Sequence, residues 1–233
     1  MCKPDRMAFA GYFCALLVGL AASRPASAQD NVIKRLEHGE TQKIVVYGTS
    51  LSAAPDGWAA LLEDSLNARY LGRAEVVNSA QAAMWSVWGV ENLRERVLAH
   101  RPDMVLLEFA VNDAYLPYAT SVEAARLNLE YMVRRIRELY PGCSVYIQVM
   151  NMPVGEHAAQ RPRVALYYEM YREEARVLDV GLIDHSEYWA PLLEKGEEAF
   201  RKYVPDGIHP SLAAQRELVL PCILKALSFR GKK

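Results

Sequence analysis

The sequence predicts an α/β protein in which helices cover both faces of a parallel sheet. Three observations carry that prediction. Apolar runs alternate about five times with longer segments of helical spacing. The runs are continuously apolar, as strands buried on both faces must be. The 233 residues hold no internal repeat, so one chain length serves one core.

The elements follow in order. Residues 43–48, "KIVVYG", read as a buried strand, and 57–70 as a helix. Strand 74–78 precedes a helix over 86–100 that stops before Pro102. Residues 103–110, "DMVLLEFA", are the most apolar strand. Helix 121–140 follows, with Ser121 and Glu123 favourable at its start and Pro141-Gly142 at its end. Strand 143–150, helix 164–179 and strand 180–185 continue the alternation. A helix over 188–203 carries Pro191 in its first turn, and a last helix spans 211–228 with a kink at Pro221.

Right-handed crossovers would gather every strand C-terminus on one sheet edge, where ligands of open α/β sheets bind. The residues expected there are 48–50, 78–83, 111–113, 151–152 and the loop 204–211. They include Ser50, Asn112 and the run Asp206-Gly207-Ile208-His209. An Asp three residues before a His can hold one ring nitrogen and free the other to take a proton from a serine. An amide after the central strand can donate to an oxyanion. Each feature has a plainer reading by itself: Ser50 as a turn hydroxyl, Asn112-Asp113 as a turn, Asp206 to His209 as an Asx-turn before a helix.

Taken together, these blocks resemble the SGNH hydrolases, also called GDSL esterases and lipases, over about residues 43 to 228. The first block, usually Gly-Asp-Ser, stands here as Gly48-Thr49-Ser50 followed by Leu51. The Gly-x-Asn-Asp block stands as Ala110-Val111-Asn112-Asp113, and Asp-x-x-His as Asp206 to His209. The resemblance implies a flavodoxin-like α/β/α sandwich, five parallel strands in the order 2-1-3-4-5, and a serine hydrolase needing no metal or cofactor. It implies Ser50 as nucleophile, His209 as base and Asp206 as its orienter. The oxyanion hole would comprise the N–H of Ser50, the N–H of Ala83 and the Asn112 side chain. Ala83 stands where the family's Asn-x-Gly-x-x-Gly block carries its last glycine, and alanine tolerates positive φ poorly.

The N-terminus reads separately. Lys3 and Arg6 precede an apolar stretch, 7–22, and an Ala26-Ser27-Ala28 site. That is the pattern of a signal peptide over 1–28, cleaved after Ala28, leaving one domain over 29–233 in the periplasm or outside the cell. The stretch is short for a membrane span, which is the alternative. The net charge of −1 gives no electrostatic case for nucleic acid. Cys143 and Cys222 remain after cleavage, either paired or as buried thiols.

Trp85, Trp88, Tyr115 and Tyr118 cluster near these loops, and flat aromatic faces suit sugar rings. Trp85, Tyr115 and Met152 are the expected substrate contacts. His157, Arg161 and Arg163 would either meet an acidic group or form a solvated rim. No long apolar segment suggests a lipid-docking lid. The expected function is a carbohydrate O-acetylesterase acting on a small or polysaccharide ester. A lysophospholipase or thioesterase and a non-catalytic binding module on the same fold are the alternatives.

Overall fold

The computed structural model describes residues 31–228. The expected signal peptide lies outside them. Five strands form one parallel sheet in the order β2-β1-β3-β4-β5. They are β1 (Gln42–Gly48), β2 (Ala74–Asn78), β3 (Met104–Glu108), β4 (Ser144–Val149) and β5 (Gly181–Asp184). The sheet is the three-layer architecture that the alternation and the resemblance predict.

Helices cover both faces, and the strand side chains divide between two cores. Ile44, Val46, Met104 and Leu106 face one layer, with Trp58, Leu62, Trp189 and Ile223. That layer contains α1 (Asn31–Glu37), α2 (Trp58–Tyr70) and the C-terminal helices. Val45, Tyr47, Val105 and Leu107 face the other, with α3 (Ser86–Arg96), and with α5 (Val122–Leu139) and α7 (Val164–Val177), which follow the one-turn helix α4 (Ala110–Asp113) and its counterpart α6 (Glu156–Ala159). The period of two along a strand thus sends neighbouring residues to opposite cores. Ser121 caps α5, its hydroxyl accepting the Ala124 N–H at 3.1 Å.

The differences from the sequence reading lie at element ends and in short helices that the pattern did not show: the strand expected over 103–110 ends at Glu108, Ala110 already starts α4, and α6 stands in a segment read as loop. The residues before β1 include the helix α1, which the polar lead did not suggest. The helix expected over 86–100 ends at Arg96 and continues as a 3₁₀ turn, Leu98–His100. The helix expected over 188–203 is two, α8 (Ser186–Glu194) and α9 (Glu197–Arg201), broken at Gly196 with φ +100°. Pro191 lies in the interior of α8, not in a first turn. The last helix begins as α10 (Leu212–Ala214), widens into a π turn over Gln215–Val219 and resumes as α11 (Leu220–Ser228). The wider turn, immediately ahead of Pro221, accommodates a ring that cannot donate to the helix ladder.

Among the described residues no helix is long and apolar enough to cross a membrane. Cys143 and Cys222 are both free and buried. They belong to opposite core layers, with the sheet between them. Burial pushes both thiols up to about 12, so neither is a reactive thiolate. Thermal unfolding is therefore expected to be the same with and without reductant. A bridge closing so long a loop would contribute about 3–5 kcal/mol, and a clear fall of the midpoint on reduction would contradict this arrangement.

Candidate active site

The C-terminal sheet edge gathers residues from five segments of the chain. After β1 the chain turns at Thr49 and Ser50, and the Ser52 N–H donates to the Thr49 carbonyl at 3.1 Å. Gly48 is needed here for close approach: a Cβ would lie 2.5 Å from the Glu108 carbonyl oxygen and 2.9 Å from its carboxylate. That carboxylate accepts the Thr49 N–H at 3.1 Å, the Thr49 hydroxyl at 2.9 Å and the Ser52 hydroxyl at 3.2 Å. Glu108 is 1% exposed and ties down both sides of Ser50.

His209 reaches Ser50 across 159 residues, its Nε2 lying 2.8 Å from the serine Oγ. Its Nδ1 lies 2.6 Å from Asp206 Oδ2. The other Asp206 oxygen accepts the N–H groups of Ile208 and His209 at 3.0 and 2.8 Å. Burial raises the Asp206 pKa, but these hydrogen bonds together outweigh it and bring the group down to about 2. The loop folds back at Gly207, with φ +91°. A Cβ there would meet the Val154 carbonyl at 2.9 Å. Asp206 and His209 are half exposed, with 50% and 44% of their side chains open.

Asn112 is more enclosed than that pair, whereas Ala83 is exposed. Asn112, in α4, is 5% exposed, and its Nδ2 donates to the Met84 carbonyl at 2.9 Å, leaving one amide hydrogen. Ala83 adopts φ +60°, the left-handed conformation that the family's glycine takes without strain. For alanine it costs about 1–2 kcal/mol. The Tyr118 hydroxyl donates to the Ala83 carbonyl at 2.6 Å and holds that turn. Among the described residues, neither the Ser50 nor the Ala83 N–H makes a hydrogen bond.

Ser50, Ala82, Ala83, Asn112, Tyr115, Tyr118, His157, Arg161, Ile208 and His209 line one open cleft of about 380 Å³. Of the expected substrate contacts, only Tyr115 is among them. Trp85 is partly exposed and stacks on the lining residue Tyr118 with centroids 4.4 Å apart. Met152 packs against a core layer. Its place after a strand did not distinguish a loop residue facing the cleft from one facing inward. Of the suggested rim residues, Arg163 is exposed but Arg161 is only 7% exposed, so a solvated rim describes one and not the other.

The sequence reading also passed over Glu108 and the role of Asp113. A glutamate inside the most apolar strand was the available signal. Asp113, 1% exposed, accepts the Ser86 N–H at 2.9 Å and so holds the start of α3 against α4. Burial pushes both carboxyls up to about 7.

Two outcomes follow from this geometry. Ala83→Gly should stabilise the protein by about 0.5–1 kcal/mol in denaturant unfolding, because it removes the left-handed strain. The raised Glu108 pKa means that the native state favours its neutral acid. Its contribution to stability is complete below about pH 4.5 and is lost as pH rises through about 7. Glu108→Gln should therefore gain on wild type between pH 5 and pH 8. Melting both proteins at each pH measures this, and a constant difference would refute it.

Comparison with known proteins gives the family and the fold. Residues 45–217 match the profile of the GDSL-like lipase/acylhydrolase family. An arylesterase of Vibrio mimicus is 25% identical over 182 residues, which cover 75% of this chain and 83% of that protein. A lipase/acylhydrolase from Enterococcus faecalis superposes with a TM-score of 0.68 at 21% identity, covering 83% of this chain and 100% of the other. The acetylxylan esterase Axe2 from Geobacillus stearothermophilus superposes with a TM-score of 0.70 at 19% identity, covering 82% and 96%. The chain belongs to the GDSL-like lipase/acylhydrolase family and is a serine esterase of that family.

Proposed function

We propose that this esterase is a secreted or periplasmic carbohydrate O-acetylesterase working through Ser50, His209 and Asp206. The observation that carries the catalytic assignment is the continuous hydrogen-bonded line from Asp206 through His209 to Ser50, ending in the cleft. His209 takes the Ser50 proton as Oγ attacks the ester carbonyl. The tetrahedral oxyanion is received by the N–H groups of Ser50 and Ala83 and by the Asn112 amide. The intermediate collapses, and the alcohol leaves with the proton from His209. Water, deprotonated by His209, then attacks the acyl-enzyme, and the acid is released as the Ser50 Oγ leaves with that proton from His209. Asp206 fixes the imidazole tautomer throughout.

The wall chemistry favours a short acyl group. Its aliphatic members are Ala82, Ala83 and Ile208, too few to bury a long chain. Tyr115 and Tyr118 meet edge to face, with centroids 5.1 Å apart, and offer aromatic surface to a sugar ring. The fold likeness to an acetylxylan esterase fits this choice. The basic start, apolar stretch and Ala-x-Ala site within residues 1–28 support export.

A panel of acetyl and long-chain esters, with acetylated xylo-oligosaccharides, tests the reading. Acetyl esters should turn over at least tenfold faster than octanoyl esters. Ser50→Ala, folded by circular dichroism, should lose about four orders of magnitude or more in kcat. A long-chain preference would replace the acetyl assignment with a lysophospholipase or thioesterase. Undiminished turnover in Ser50→Ala would remove the triad assignment.

A further inference from the structure

Arg161 is a buried cation without a buried anion. Among the described residues no carboxylate lies within 4 Å of it. Guanidinium groups that are removed from water ordinarily find a carboxylate partner, because burial of an unpaired charge is costly. Here burial pushes the pKa down. The group is instead held by neutral partners. Its Nε donates to the Val111 carbonyl at 2.9 Å and its Nη2 to Asn112 Oδ1 at 3.2 Å. A longer contact of 3.4 Å joins Nη1 to the His157 carbonyl, and the Tyr115 ring lies 4.6 Å from Cζ. The Leu116 N–H donates to the Gln160 carbonyl at 3.1 Å, so the segment that carries Arg161 is itself docked on the Asn112 loop.

These contacts act on one side chain in particular. An asparagine amide has two orientations, and only one presents its N–H groups to the cleft. In the observed orientation Oδ1 accepts from Arg161 and Nδ2 donates to Met84. The reverse orientation would put Oδ1 against the Met84 carbonyl and the NH₂ group against the guanidinium, so both neighbours oppose it. The cation also lies against the amide oxygen, where it polarises the remaining N–H and favours negative charge near it.

We propose that Arg161 is the positioning residue of the oxyanion hole: it clamps the Asn112 amide so that Nδ2–H faces the acyl carbonyl and supplies a fixed positive charge beside it. This rests on the reading of Asn112 as an oxyanion donor. It gives the unpaired cation a counter-charge that exists only while the tetrahedral intermediate does, which is the condition for raising kcat and not merely binding. Lysine cannot replace it, because one ammonium on a flexible stem does not match the fork that spans the Val111 and Asn112 oxygens.

A double-mutant cycle tests the proposal, using a neutral aryl acetate and an aryl acetate bearing a carboxylate. Arg161→Gln and Arg161→Lys should each lose about tenfold to hundredfold in kcat on both esters, with KM changing by less than about threefold. In the Asn112→Ala background the same substitutions should cost less than about threefold, because their effect passes through the missing amide. Millimolar guanidinium should restore part of kcat to Arg161→Ala. Additive losses in the cycle would overturn the proposal, as would an unchanged kcat in a folded Arg161→Lys. A loss confined to the carboxylate ester and expressed in KM would overturn it as well, since Arg161 would then be a receptor for an anionic substrate. Wild type that hydrolysed neither ester would instead count against the functional reading, whereas active wild type with indifferent Arg161 variants counts against this inference alone.

Discussion

The 2.8 Å contact between Ser50 and His209 is the constraint on which the rest of the site depends. It joins residues from opposite ends of the sequence, so neither loop can hold it alone. Gln215 provides one bridge: its Oε1 accepts the Trp58 N–H at 2.8 Å, and its Nε2 donates to the Pro210 carbonyl at 3.0 Å. The start of α2, which follows the serine turn, is thereby tied to the residue beside His209. Two further bonds hold the loop from the β4 side. Asn151 Nδ2 donates to the Ile208 carbonyl at 2.9 Å, and the Val154 N–H to the Gly207 carbonyl at 2.8 Å. The sheet sets the distance between loops, and these few polar contacts set the residue-level fit.

The departure at Thr49 has a chemical counterpart in Glu108. An aspartate at this position would place a second carboxylate against one that is already buried, and two such groups cannot both ionise cheaply. The Thr49 hydroxyl is a donor instead, and it meets Glu108 Oε2 at 2.9 Å. The same contact anchors the residue before Ser50. The change therefore keeps the turn in place without adding charge to the core.

What was legible in the sequence follows the physics that local pattern can express. Continuous apolar strands showed the parallel sheet, and the sheet rule then placed Ser50, Asn112 and the Asp206 to His209 loop on one edge. Features set by tertiary contact were not legible. Ala83 adopts a glycine-like φ because Tyr118 and the surrounding turn hold it, and nothing in "NSAQAA" announces that. Arg161 looked like rim because it stands in a polar stretch, yet the chain folds it inward under Tyr115. Met152 adjoined the right loop but packs against a core layer, and Trp85 reaches the cleft only through Tyr118, since sequence proximity to an edge does not decide side-chain direction. Helix breaks at Gly196 and before Pro221 depended on how each helix met the core.

The two sides of the site are built on different electrostatic terms. Asp206 and His209 stand half open to water, where charge attraction is screened and an ion pair contributes little. Their alignment comes from geometry: a 2.6 Å bond between side chains and two backbone N–H groups fixing the carboxylate. Asn112 and Arg161, at 5% and 7% exposure, sit where fields act at low dielectric. A dipole fixed there before reaction needs no reorganisation when charge appears on the substrate oxygen. In the proposed mechanism the base side can therefore remain at the surface, accessible to water for deacylation, while the Asn112 amide acts from a buried position.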